Sequence, residues 1–521
     1  MNVMNRIMLL AVLLSCPPSL SAQEEPPQNA KDLLNKGYAS YQKGLYQDAI
    51  DSYTEAIQIF PNYWLAYRLR GDAKRQSKDN EGAISDYTST IKINPNDATA
   101  YNLRGVAWSN LKDHGKAITD YTKAVSVNRN YHWGYYNRAL SLEALGKVEE
   151  AIADYGRTVT VDPSYVNAYF YRALLLEKVG KLNVAVDDWS SVLLIRPAMA
   201  NAWYNRGFNY YRQGKPLLAI SDLTRALMLK PTDPESYYLR GDSWRTLEDY
   251  HGAILDYDQA IKSNPKYVAA YNNRGISRQA LGDLKGALED FNQSLILNPK
   301  YYRAYFNRGT IKAEKNDYAG AVKDFHRSLK IHPNYSTAWF ELGLVHENMG
   351  EQIEAIKDYD QVLKLDPREY VAYYNRGRLR KLTGNLNGAF EDYRACLKLK
   401  PTYYRALNNL GTIYYNRGDV EEGLKLYEKC IQVAPDFFLA YYNRAMVWEK
   451  KGNNSKAIAD YSASIQLNPQ AYDSLYSRGL LREKTGDKEG AKLDLMKALQ
   501  LAPTVWLDRE KAKEALDRVS R

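Results

Sequence analysis

Apolar, small and polar residues along this chain fall into one pattern that returns every 34 residues. In one period, Tyr271-Asn272-Asn273-Arg274-Gly275 leads to Ala280-Leu281-Gly282-Asp283, and Ala287-Leu288-Glu289-Asp290-Phe291 then leads to Leu297-Asn298-Pro299. The spacing predicts two helices of a dozen or so residues joined by short turns. Gly282 suits the left-handed cap that ends the first helix, and Asp283 suits the N-cap of the second. The second helix stops before Pro299, because the residue preceding a proline disfavours helical geometry.

The period holds for fourteen repeats, residues 30–505, without an insertion or deletion. Its beat is Pro61, Pro95, Pro163 and onward at every 34th residue to Pro503, missed once, at Arg129. Counting each repeat from 1 to 34, position 8 is Gly eleven times and otherwise Ala, and position 20 is Ala everywhere except Gly423. Small residues at both points let the two helices approach closely. Aromatics recur at positions 4 and 24, where they predict packing knobs. Units this short cannot bury their own apolar faces, so the pattern predicts an all-α solenoid of stacked pairs.

The order aromatic, Gly, Ala, aromatic, Pro resembles the tetratricopeptide (TPR) repeat. Tyr305, Gly309, Ala321, Phe325 and Pro333 are one instance, and Trp203, Gly207, Ala219 and Pro231 another. The resemblance implies a right-handed superhelical solenoid whose first helices line a concave groove built from positions 2, 5, 6, 9, 12 and 13. It also implies a binding scaffold for peptides and proteins.

One departure from the family pattern is informative. Position 7 is arginine in eleven repeats, and in each of them position 23 is aspartate, as in Arg274/Asp290, Arg308/Asp324 and Arg376/Asp392. Repeat 12 loses both together, with Leu410 and Leu426, whereas Asp358 alone lacks its arginine because Leu342 precedes it. Pairing within a repeat leaves that single orphan. Pairing to the next repeat would fail at four junctions. The expectation is therefore an ion pair between the two helices of one repeat, serving the scaffold.

The groove offsets collect a second constellation. Position 5 is aromatic at Tyr136, Phe170, Tyr204, Tyr238, Phe306, Phe340, Tyr374, Tyr442 and Tyr476. Position 6 is asparagine at Asn35, Asn137, Asn205, Asn273, Asn307, Asn375, Asn409 and Asn443. A carboxamide both donates and accepts, so a ladder of them suits an extended peptide backbone. The arrangement resembles the asparagine ladder of O-linked GlcNAc transferases, without the transferase domain. Arg378, Lys381 and Arg405 form an expected basic patch, with Glu341 and Glu347 just before it.

At the ends, residues 1–22 read as a secretory signal, with Arg6, an apolar run Ile7 to Leu14 and small residues to Ala22. Leu13-Leu14-Ser15-Cys16 offers an alternative, a loose lipobox with Cys16 lipidated. Residues 23–29 read as a polar linker and 506–521 as an amphipathic capping helix. No run reaches membrane-spanning length. The net charge of +10 is dispersed and much of the arginine is matched internally, which argues against nucleic acid. Cys396 and Cys430, one repeat apart, read as buried unpaired thiols, and the six histidines show no metal-ligand spacing. No nucleophile elbow, phosphate loop or HExxH pattern occurs, so neither an enzyme nor a cofactor is expected. The sequence thus points to an exported, non-enzymatic scaffold for a protein or peptide partner. Its alternative is a cell-wall-glycan binder with tyrosines stacking on sugars.

Overall fold

The computed structural model describes residues 25–521, so the expected signal segment 1–22 and Cys16 lie outside the described residues. Among these residues there are 29 α-helices and no strand. They form two compact units, Met1–Pro265 and Lys266–Arg521. In the first unit seven helix pairs run from Gln28–Gln42 to Tyr250–Ser263. In the second, seven pairs run from Val268–Ala280 to Lys488–Leu501, and a single helix, Arg509–Ser520, follows. The first helix starts inside the 23–29 segment read as linker, since Pro27 takes the N-cap position and Gln28 and Asn29 continue into the first turn.

The turns follow from local chemistry. Position 15 has positive φ in every repeat, supplied by glycine ten times, as at Gly282 (φ 83°), and by Lys78, Lys112, Glu248 and Asn316 elsewhere. The residue after it caps the second helix, as where Asp283 accepts from the Gly286 amide. Where Arg129 replaces proline, the turn survives on its backbone bonds, Asn128 N–H to Ala124 O at 3.0 Å and Tyr131 N–H to Asn128 O at 3.1 Å.

Packing inside a repeat hinges on positions 8 and 24. A Cβ placed on Gly37, Gly105 or Gly275 would lie 2.6–2.7 Å from the ring at position 24 (Tyr53, Tyr121, Phe291), closer than carbon atoms tolerate. These rings are buried among the invariant alanines, as in the cluster of Ala287, Phe291 and Ile311.

Each position-7 arginine grips the aspartate of its own repeat through two bonds. Arg172 donates from Nε to Asp188 Oδ2 at 2.7 Å and from Nη2 to Oδ1 at 2.5 Å. The same fork joins Arg274 to Asp290, Arg308 to Asp324, Arg376 to Asp392 and the remaining pairs. The aspartates are only 1–7% exposed. In ten of the eleven repeats the guanidinium also lies over the position-4 ring, 5.4 Å from Tyr271 for Arg274, and Leu475 takes that place beside Arg478. Its Nη1 commonly reaches back sixteen residues to the previous repeat, as Arg70 does to Thr54 and Arg308 to Asn292. In repeat 12 Leu410 and Leu426 fill the same space with an apolar contact. Asp358 finds another partner, His346, whose Nδ1 lies 2.5 Å from its Oδ2. Burial pushes the Asp358 carboxyl up to about 6, against the pull of His346.

Two predictions follow from this packing. Arg172 and Asp188 make the cleanest test of the ion pair, because repeat 5 gives Asp188 no second cation and leaves Gly156, without a side chain, at the site Nη1 would reach. Arg172→Leu or Asp188→Leu alone should destabilise by about 3 kcal/mol, by stranding a buried charge. The double change should cost less than either single one, as repeat 12 shows, and chemical denaturation of the four proteins reads the coupling. Additive effects would exclude the pairing. Separately, Gly275→Val should destabilise by about 2 kcal/mol through overpacking against Phe291. Phe291→Leu should recover part of that loss, because leucine already opposes glycine at Gly207/Leu223 and Gly479/Leu495.

Candidate functional site

The first helices of successive repeats lie side by side within each unit, so positions 2, 5, 6, 9, 12 and 13 share one face. The position-5 rings stand at its base. Phe170 packs edge-on against Trp189 (centroids 5.0 Å apart), Phe340 against Tyr359 (5.6 Å), and Tyr136, Phe306, Tyr374 and Tyr442 against the position-24 rings of their own repeats. Most of them are half-buried between core and face, and Tyr136 is buried.

The position-6 asparagines bond across repeat boundaries. In the first unit, Asn137 Nδ2 donates to Asn102 Oδ1 at 2.9 Å. In the second unit, Asn307 donates to Asn272 at 2.9 Å and Asn443 to Asn408 at 2.7 Å, while Asn272 donates to Asn273 at 3.0 Å. Asn375 and Asn409 donate instead to the hydroxyls of Tyr359 (3.3 Å) and Tyr393 (3.4 Å). Each bond fixes an amide and uses part of its capacity. The Asn102/Asn137 pair keeps one donor, Asn102 Nδ2, and one acceptor, Asn137 Oδ1, with no partner among the described residues.

Asn205 and Tyr204 line a separate concavity of about 290 Å³ with Phe170, Asn201, Asp233 and Glu235. Burial, helped by Glu235, Asp233 and Glu177, raises the Tyr204 phenol, so it is a neutral donor at physiological pH.

Sequence reasoning missed a row of carboxylates held from behind by the position-24 rings. In the first unit Tyr87 donates to Asp72 (2.8 Å), Tyr155 to Glu143 (3.1 Å), the Trp189 indole to Glu177 (2.6 Å) and Tyr257 to Asp242 (2.6 Å). In the second, Tyr359 donates to Glu347 (2.8 Å) and Tyr461 to Glu449 (2.9 Å). The sequence held a partial signal: six of the ten repeats with Tyr or Trp at position 24 carry an acid at position 9 or 12, while those of Tyr53, Tyr121, Tyr393 and Tyr427 do not. Where position 24 is Phe291 or Phe325, neither position is acidic. Ala replaces Gly at position 8 in three of the four repeats where the ring reaches position 12.

The expected basic patch is uneven. Arg378 is paired with Glu347 of the preceding repeat. Arg405 donates to the Tyr404 hydroxyl (3.2 Å) and lies over that ring. Lys381 has no partner among the described residues, and burial lowers its ammonium; burial likewise raises Glu341. The positive charge open to a ligand here therefore sits on Lys381 and Arg405.

Cys396 and Cys430 are buried free thiols, both pushed up to about 12 by burial. Among the described residues no three His, Cys, Asp or Glu side chains are grouped to hold a metal, and no helix is long and apolar enough to cross a membrane.

Comparison with known proteins agrees with this architecture. Models of the tetratricopeptide repeat match residues 33–63, 68–131, 136–191, 200–233, 238–302 and 272–336, and then 336–369, 370–403, 404–437, 438–471 and 472–505. No curated protein matches the chain. Similar solved structures include the MamA protein, 25% identical over 32% of this chain and 92% of that one, with a TM-score of 0.31. YrrB, a TPR protein with an unusual peptide-binding site, is 22% identical over 35% and 95%, with a TM-score of 0.33. The APC/C hetero-tetramer Cut9–Hcn1 is 15% identical over 95% and 97%, with a TM-score of 0.37. With its repeats matched along most of its length and its helices paired throughout, the chain belongs to the tetratricopeptide repeat family.

Proposed function

We propose that this protein is an exported, non-enzymatic scaffold that grips an extended peptide or surface segment of a protein partner on its first-helix face. The observation that carries the reading is the amide arrangement. Asn102/Asn137 and Asn408/Asn443 are locked to each other across repeat boundaries, yet each pair retains one donor and one acceptor. That is the complement of a peptide group, held without the entropy cost of ordering a free side chain on binding. Tyr136 and Tyr442 at position 5 adjoin Asn137 and Asn443 and supply apolar contact, and the carboxylates at positions 9 and 12, with Lys381 and Arg405, vary the charge from repeat to repeat.

Peptide and glycan arrays probed with the mature chain distinguish this reading from the sugar-binding one. Peptides should be captured, and Asn137→Ala and Asn443→Ala should each weaken a captured peptide by about fivefold, the worth of one net hydrogen bond. Isothermal titration calorimetry measures the loss, and melting temperatures near wild type show that the scaffold is intact. Capture of glycans alone, or unchanged peptide affinity in both variants, overturns the reading.

Export rests on the apolar and small residues of segment 1–22. Intact-mass analysis of protein from the producing cell should give a chain beginning near Ala22 or Gln23. A diacylglyceryl mass on Cys16 would establish the lipid-anchored form instead, and an uncleaved Met1 would exclude both.

A further inference from the structure

The turn between repeats 1 and 2 encloses a cavity of about 680 Å³ that the first-helix face does not use. Its walls are Phe60, Tyr63, Trp64 and Tyr67, with Pro26 and Pro61 beside them and Asn62, Ser89 and Lys92 at the polar side. None of these residues occupies a groove position. The combination is unique within the chain. Phe60 is the only Phe, Tyr or Trp at position 31 in fourteen repeats, where asparagine stands five times, and no other junction joins such a ring to an aromatic at position 1.

We propose that this cavity binds a proline-rich segment of another protein in the polyproline II conformation. Three observations carry the assignment. First, the chain already brings its own proline to this cavity: Pro26 forms one wall of it, and Pro27 after it has φ −62° and ψ 155°, the polyproline II geometry. Second, the rings are held in place. Arg68, itself paired with Asp97 at 3.0 Å, lies 5.3 Å from the Trp64 ring centroid, and Phe60 meets Tyr63 edge-on at 6.0 Å. A rigid aromatic trough suits the preformed polyproline II helix, whose ring faces stack without much loss of entropy. Third, the site holds two unspent donors. Trp64 Nε1–H and the Lys92 ammonium have no partner among the described residues, and the Ser89 hydroxyl is spent on Ser85 O at 3.2 Å. A proline-rich strand offers carbonyls and few N–H groups, so it needs donors. A sugar, whose hydroxyls also donate, would find no carboxylate among the lining residues. Lys92 adds a preference for acidic residues flanking the prolines.

The test uses the full mature chain and two dye-labelled peptides, decaproline and decaproline preceded by two glutamates, followed by fluorescence anisotropy. Both should bind saturably, the acidic one more tightly. Phe60→Asn and Trp64→Ala should each weaken both peptides by about tenfold or more. Asparagine and alanine occupy these same positions in other repeats, so the fold should tolerate both, and circular dichroism checks that it does. Lys92→Ser, matching Ser126 one repeat later, should remove only the preference for the acidic peptide. A peptide captured on the first-helix face should bind the Phe60→Asn and Trp64→Ala proteins as tightly as wild type, which separates this site from the groove. The proposal falls if neither peptide binds, if affinity is unchanged in both ring variants, or if the ring variants lose binding only to chito- or cello-oligosaccharides offered in parallel.

Discussion

Everything in this scaffold is arranged around a guanidinium placed between two helices. Burying an aspartate to a few per cent exposure is costly unless its oxygens are matched, and the arginine matches them with a two-bond fork. The same guanidinium lies over the position-4 ring and reaches back to the preceding repeat. The aspartate is sixteen residues ahead of the arginine and the reach-back partner sixteen residues behind, as in Asp86 and Thr54 around Arg70. An insertion in the turn within a repeat would part the pair and strand a buried charge, and one in the turn between repeats would cost the reach-back bond. That requirement gives a physical reason for fourteen periods kept in strict step.

The interruptions show how the constraint is relaxed. Repeat 12 replaces both charges with leucine, an exchange of ion pair for apolar contact that costs little when volume is kept. Repeat 10 keeps the acid and supplies a histidine from one turn further along the first helix. In five other repeats that position, 11, carries a lysine or arginine that adds a second cation to the same aspartate, as Arg278 does on Asp290. His346 thus extends an arrangement the scaffold already uses.

A stiff interior leaves the first-helix face free to vary. Position 24 links the two: its ring fills the space against position 8, and its hydroxyl or indole N–H emerges under the carboxylates of positions 9 and 12. Core packing thereby orients the polar groups on that face, and the amides of position 6 are oriented by their neighbours in the same way. The first junction departs from the rest, since it alone joins a ring at position 31, Phe60, to a ring at position 1, Trp64, beside a cavity.

Much of this was legible in the residues alone. The period, the helix limits at Gly282 and Pro299, the small residues at positions 8 and 20 and the Arg/Asp register depend on spacing along one chain, and local sterics and capping fix them. Tertiary structure decided what each side chain does with its remaining capacity. Asn137 bonds Asn102, Arg378 is taken by Glu347, and Asp358 by His346, because packing brings together residues 35, 31 and 12 apart on different helices or turns. The cavity at Phe60 and Trp64 likewise needs Pro26 and Lys92 brought to one place. Periodicity announces which positions share a face. Only the folded geometry determines which polar atoms on that face are already spent.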